Sequence, residues 1–203
     1  MTNILVINSS VSGEASVSRK LVEDFVGHVG GAAKVVRRDI AVDPIPHLTA
    51  GSVGAIRGGT AETGEARAAL ALADELVEEL RAADLIVIGA PMYNFGLPST
   101  LKAWFDHVLR ARVTFRYTAN GPEGLLTGKR AIVIESRAGV YSHGPAAAMD
   151  GQEPHLRTLL GFMGIKDVTF VRAEGLASDA EAAIARAAEE IRLLAEGELA
   201  LAA

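Results

Sequence analysis

Apolar residues follow two rhythms along this chain. Unbroken runs occur at residues 4–7 (Ile-Leu-Val-Ile), 85–88 (Leu-Ile-Val-Ile) and 131–134 (Ala-Ile-Val-Ile). Runs without polar alternation predict strands covered on both faces, as in a parallel sheet. Between them the spacing becomes helical. Leu21, Val22, Phe25, Val26 and Val29 form one stripe, and Ala69, Leu72, Leu76, Val77 and Leu80 another, behind a candidate cap at Thr63. A third stripe, Leu101, Trp104, Phe105, Val108 and Leu109, follows Pro98, a residue suited to a first helical turn. Two more helices are predicted over residues 154–164 and 179–194, the last capped by Ser178 or Asp179. Residues 34–40 read as a more polar strand near a sheet edge, and 168–171 as a fifth strand. Asp43-Pro44-Ile45-Pro46 is a turn, and residues 48–59 fit a short helix with a loop.

Strands alternating with helices imply an α/β, doubly wound parallel sheet with helices on both faces. Five strands favour the order 2-1-3-4-5. The ligand crevice then lies at the carboxyl ends of strands one and three, where the winding reverses. No repeat or linker divides the chain, so a single domain is expected over residues 1–203. Two connections are long. Residues 113–128 contain the turn signal Asn120-Gly121-Pro122, and residues 136–152 are rich in glycine.

Composition narrows the function. The chain has 25 acidic and 20 basic residues, a formal charge of −5, which disfavours a nucleic-acid binder. It has no cysteine, which removes disulfides, thiolate nucleophiles and Cys-ligated metals, and the histidines show no metal-type spacing. The first apolar run is too short for a signal peptide or membrane span. A soluble cytoplasmic protein without a metal is expected.

Chemistry-bearing residues gather at the two strand ends. After strand one, Ser9, Ser10, Ser16 and Ser18 flank the start of a helix. Helix N-termini present free N–H groups, and hydroxyls add neutral donors, so the group suits a phosphate. One such serine alone would read as a cap. The first strand is followed by no G-x-G-x-x-G, so a dinucleotide fold of that kind is unsupported. Gly128-Lys129 resembles the end of a P-loop, but Glu123 stands where glycine is needed and Arg130 where Ser or Thr is needed. After strand three, Met92-Tyr93-Asn94-Phe95 puts large groups on a turn. They could wall a planar ring and address its polar edge, or merely pack under a loop. After strand four, Ser136-Arg137-Ala138-Gly139 offers small residues for close backbone approach, with a cation that could face an anionic ring or only solvent. His107, on the Trp104 helix, reads as structural on that helix's polar flank, and His143 as a loop histidine.

Together, the serine loop, A-P-M-Y-N-F, V-T-F-R-Y-T-A-N-G-P-E-G-L and S-R-A-G resemble the FMN-dependent NADH:quinone oxidoreductases, also called FMN-dependent NADH-azoreductases, over nearly the full length. This resemblance implies a flavodoxin-like FMN-binding domain. It assigns Ser10, Ser16, Val17 and Ser18 to the FMN phosphate side. Met92, Tyr93, Asn94 and Phe95, with Ser136, Arg137, Ala138 and Gly139, are assigned to the isoalloxazine. It further implies NADH or NADPH as donor, quinones and aromatic azo compounds as acceptors, and a homodimer with FMN near the interface. Phe115 and Tyr117 become candidate pocket walls reaching a partner, and Arg57 a substrate-entrance residue. The chain departs from the family at Ala138, where glycine is usual. A flavodoxin-type electron carrier, or a flavin reductase of another substrate class, is the alternative. A phospho-receiver domain is excluded because Asn8-Ser9-Ser10 and Ala90-Pro91 stand where acidic residues are required.

Overall fold

The computed structural model describes residues 1–202. Strands β1 (Thr2–Asn8), β2 (Ala33–Asp39), β3 (Leu85–Pro91), β6 (Arg130–Arg137) and β7 (Asp167–Glu174) form one parallel sheet in the order β2-β1-β3-β6-β7. This is the expected 2-1-3-4-5 order, and the polar strand β2 lies at the edge. The remaining strands, β4 (Phe115–Thr118) and β5 (Gly121–Gly124), pair antiparallel as a separate hairpin.

Among the described residues, six α-helices accompany the strands: α1 (Val17–Val29), α2 (Val53–Ile56), α3 (Gly64–Ala82), α4 (Ser99–Val108), α5 (Glu153–Met163) and α6 (Ala180–Ala202). The pleat sends alternate side chains to opposite faces. Leu5, Ile7, Ile88 and Val133 pack with Leu76 of α3, Trp104 of α4 and Leu156 of α5. Val6, Val87 and Ile134 pack on the other face with Leu21 and Phe25 of α1 and Ile191 of α6. Every residue of β3 is buried, as its unbroken apolar run requires. Each fully buried aliphatic side chain contributes about 1.5–3 kcal/mol, so these two clusters carry most of the stability.

Caps fall where side-chain chemistry puts them. Thr63 accepts the Ala66 amide at 3.1 Å, and Asp179 accepts that of Ala182 at 3.0 Å. Asp179, not Ser178, therefore caps α6. That helix continues past residue 194 to Ala202, because Ala187, Ile191 and Ala195 keep one stripe against the sheet. The 113–128 connection is more ordered than a loop. Ala119-Asn120 forms the tip of the hairpin, with Gly121 paired to Thr118, and Phe115 anchors its base against Phe162 with ring centroids 4.6 Å apart. Gly124 lies directly on Gly164, the left-handed cap of α5. A Cβ on Gly124 would fall 2.1 Å from the Gly164 nitrogen, so only glycine permits this contact. His107 is buried, with Nδ1 3.0 Å from the Ala103 carbonyl. The helix face carrying it is therefore inward and not a polar flank. No helix among the described residues is long and apolar enough to cross a membrane.

Candidate functional site

Register brings the predicted residues to one end of the sheet. Asn8 of β1 lies opposite Gly89 of β3, and Pro91 of β3 opposite Ser136 of β6. The segments following these strands therefore flank a single groove at the reversal of winding.

The serine loop forms one end of this groove. Ser16 begins α1 as its N-cap, accepting the Arg19 amide at 3.2 Å, and the Ser16 and Ser18 hydroxyls lie 3.3 Å apart. Ser10, Ser16 and Ser18 are all buried. The 13-residue helix adds the positive end of its dipole and the amides of its first turn, including that of Val17. Buried hydroxyls at such a helix start fit a phosphate-like anion. Ser9 plays a different part. Its hydroxyl donates to the Gly89 carbonyl at 2.7 Å and stitches β1 to β3. Behind the loop, Arg19 pairs with Asp39 at 2.5 Å. That hydrogen bond raises the Arg19 pKa above its ordinary value. At Asp39 burial raises the pKa, and the Arg19 hydrogen bond and charge together with the Val42 and Ala41 amides outweigh it, leaving the carboxyl below its usual range.

The other end is the turn at residues 93–96. Tyr93 and Gly96 exchange two backbone hydrogen bonds of 3.0 Å each. Between them Asn94 and Phe95 take φ of +46° and +69°. This is a two-residue turn of the mirror-image kind, tolerable for asparagine and strained for phenylalanine. It leaves both side chains exposed. Tyr93 connects the two ends of the groove: its hydroxyl accepts the Val11 amide at 3.1 Å and lies 3.4 Å from the Ser10 hydroxyl. The Met92 amide donates to the Ser136 carbonyl at 2.9 Å, which joins this turn to the 136–139 segment. An exposed aromatic, an amide side chain and the small residues Ser136, Ala138 and Gly139 beside it suit a flat heterocycle with polar edges.

Arg137 is placed differently from its neighbours. Its guanidinium is fully buried and faces Glu135 at 2.6 Å, Asp150 at 3.1 Å, Glu174 at 3.7 Å and Glu153 at 3.9 Å. Its charge is thus met by carboxylates and is not presented to an open groove. Burial pushes the Glu135 pKa up to about 8, the Arg137 charge opposing this only in part. Ala138 is exposed and has no positive φ, so its methyl group fits the backbone it occupies.

The outer candidates contact other regions. Phe115 is 8% exposed and faces Phe162 of its own chain, whereas Tyr117 is 73% exposed near the hairpin tip. Arg57 is exposed at the end of α2, next to Gly58, which approaches the Arg112 guanidinium. His143 is exposed, with Nδ1 2.9 Å from the Ser142 hydroxyl.

The sequence reading missed Tyr141, Asp150, Gln152 and Glu174, which surround Arg137 or the turn. One signal was available. Glu135 and Arg137 sit two apart at the end of an apolar run, so they share one face of a buried strand and must be paired.

The chain matches the family model described as a flavodoxin-like fold over residues 2–194. An FMN-dependent NADH:quinone oxidoreductase of Hyphomonas neptunium is 54% identical over 185 residues, covering 90% of this chain and 88% of that one. The FMN-dependent NADH:quinone oxidoreductase 3 of Pseudomonas aeruginosa is 47% identical over 208 residues, with 99% and 96% covered. Among solved structures, an azoreductase from Bacillus anthracis strain Sterne superposes with a TM-score of 0.89 at 30% identity, covering 97% of this chain and 100% of that one. An FMN-dependent NADH-azoreductase of the same species, solved in complex with FMN, gives 0.88 at 27% identity, with 97% and 99% covered.

Proposed function

We propose that this chain, which belongs to the flavodoxin-like family of FMN-dependent NADH:quinone oxidoreductases, is an FMN enzyme that passes two electrons from NADH or NADPH to quinones and aromatic azo compounds. The observation that carries this reading is the single groove. It has buried hydroxyls at a helix start on one side and an aromatic–amide turn on the other, joined by the Tyr93 hydroxyl. When bound, FMN supplies the hydride chemistry, with donor and acceptor using one pocket in turn and an azo bond needing two rounds.

The protein's own work is binding and orientation. Ser10, Ser16, Ser18 and the Val17 amide take the phosphate, using neutral donors and a helix dipole. Met92, Tyr93, Asn94 and Phe95 take one edge of the ring, and Ser136, Ala138 and Gly139 the other. Preorganised N–H groups there favour negative charge on the ring without reorganising. No side chain acts as a nucleophile. The donor and acceptor need only be held in contact with the ring, so positioning is what the groove must achieve. We further propose a homodimer with each FMN near the interface, the exposed Tyr117 reaching the partner's groove and Arg57 lining the entrance. Residues 1–203 act as one FMN-binding domain.

The test is the absorption spectrum of the purified protein, followed by NADH oxidation with and without a quinone. A bound flavin spectrum and quinone-dependent turnover are expected. Colourless protein that takes up no FMN would overturn the reading. Bound FMN without NADH turnover would make the chain an electron carrier.

A further inference from the structure

Asn94 and Phe95 hold left-handed backbone without being glycine, and such conformations persist only where surrounding contacts over-determine them. Two sets of contacts reach Phe95, and both lead back to Arg137.

The first runs through the loop before α5. Among the described residues, the one hydrogen bond of the Arg137 side chain goes from Nε to Gln152 Oε1, at 3.2 Å. Gln152 is wholly buried, and its Nε2 donates to the Ala90 carbonyl at 2.9 Å, at the base of the 93–96 turn. Asp150, paired with Arg137, accepts the Gln152 and Glu153 amides at 2.9 and 3.0 Å. Gly151 is held between these two residues. Its amide donates to the Phe95 carbonyl at 2.9 Å, sharing the proton with Met149, and a Cβ there would lie 2.9 Å from that same oxygen.

The second runs through β7. Glu174, facing Arg137, accepts the amides of Tyr141 and Ser142 at 3.0 and 3.2 Å, and the Ser142 hydroxyl also donates to it. This anchors the backbone at Tyr141, whose ring lies edge-on to Phe95 with centroids 6.1 Å apart.

We propose that Arg137 is a positioning residue for the ring end of the FMN groove, acting through Gln152 and Gly151 on the Phe95 backbone and through Glu174 and Tyr141 on the Phe95 ring. The proposal rests on the reading of the groove as an FMN site, but the device itself exists in the protein without FMN. A structural ion cluster would stabilise the fold and leave the turn unaffected. A positioning cluster sets the turn's geometry.

Two variants test it. Gln152→Leu keeps the volume and removes both side-chain bonds. Gly151→Ala leaves the buried cluster intact and pushes on the Phe95 oxygen, so it serves even if the first variant does not fold. Thr63→Ala, which removes the α3 cap, is the control for general destabilisation. In FMN-free protein, hydrogen exchange over residues 92–97 should rise in both test variants, remain at the wild-type rate over residues 9–20, and stay unchanged at 92–97 in Thr63→Ala. FMN titration should show a dissociation constant raised about tenfold, the effect of roughly one lost hydrogen bond, with a shifted spectrum of the bound flavin. Folded variants with wild-type exchange at 92–97 and FMN affinity within about twofold would overturn the proposal. A wild-type protein that binds no FMN would overturn the functional reading instead, and the exchange data would still decide whether the Gln152–Gly151 arm through which Arg137 acts holds the turn.

Discussion

At the serine end of the groove, the hydrogen bond that shapes the backbone spans three residues, from the Arg19 amide to Ser16. At the ring end, the two Tyr93–Gly96 bonds that close the turn are equally local, but the bonds that brace it span 62 residues between Gln152 and Ala90, and 33 between Tyr141 and Glu174. The helix start at Ser16–Ser18 would be organised in any fold that presents α1, whereas Ser9 and Val11 before it bond across to Gly89 and Tyr93. The ring end requires β3, β6, β7 and the loop before α5 to be assembled first. The strained Phe95 backbone at the ring end costs of order 1–3 kcal/mol, and assembly must supply it. An anion can be met by a local motif because helix N–H groups already point outward. A planar ring needs walls and donors from separate segments, and those can only be fixed by tertiary contacts.

The contrast breaks most severely at Arg137. Replacing it by methionine leaves Glu135, Asp150 and Glu174 without their shared cation, a loss expected to be about 3–5 kcal/mol in urea unfolding of the FMN-free protein. A loss below about 1 kcal/mol would make the ring end as locally determined as the serine end.

Glu135 gives a pH-dependent version. An unfolded chain releases this proton near 4.5, whereas the folded protein keeps it until about 8. Between these values the folded state binds more protons, so its contribution to stability is full at low pH and declines as pH rises through about 8. Glu135→Gln should remove that decline, making the variant more stable than wild type at pH 9 by urea unfolding and leaving the gap smallest near pH 4. A wild type that gains on the variant as pH rises would mean that Glu135 serves as an ionised partner.

Ser16→Ala should cost about 1 kcal/mol, or a thermal midpoint about 2–4 °C lower, because one helix cap is lost while the distant contacts stay. Hydrogen exchange at residues 92–97 should not change, and a rise there would show that the two ends are coupled through Tyr93. The smallest effect is expected at Ala138→Gly, within about 0.5 kcal/mol and with FMN affinity nearly unaltered, since the alanine is exposed in ordinary backbone. A large gain in FMN affinity would mean that the methyl group strains the ring end.

Much of the fold is legible in the amino-acid sequence. Apolar runs gave β1, β3 and β6, helical stripes gave α1, α3 and α4, and Thr63 and one of Ser178 and Asp179 were recognisable as caps. These are short-range consequences of side-chain periodicity and of unsatisfied helix amides, so the sequence contains them directly. Their alternation set the sheet order and placed residues 9–18 and 92–95 at the same end of the sheet. Only the tertiary structure decided which partner each polar group met. Phe115 read as a pocket wall, and packing turned it toward Phe162. Arg137 read as a cation available to a ligand, and the sheet surrounded it with Glu135 from its own strand, Glu174 from the adjacent one and Asp150 from the loop before α5. The sequence determined that a charge would lie at the end of a buried strand. Which carboxylates would neutralise it depended on strand register and on a loop folding back, because Coulomb attraction acts on distance in space and is indifferent to separation along the chain.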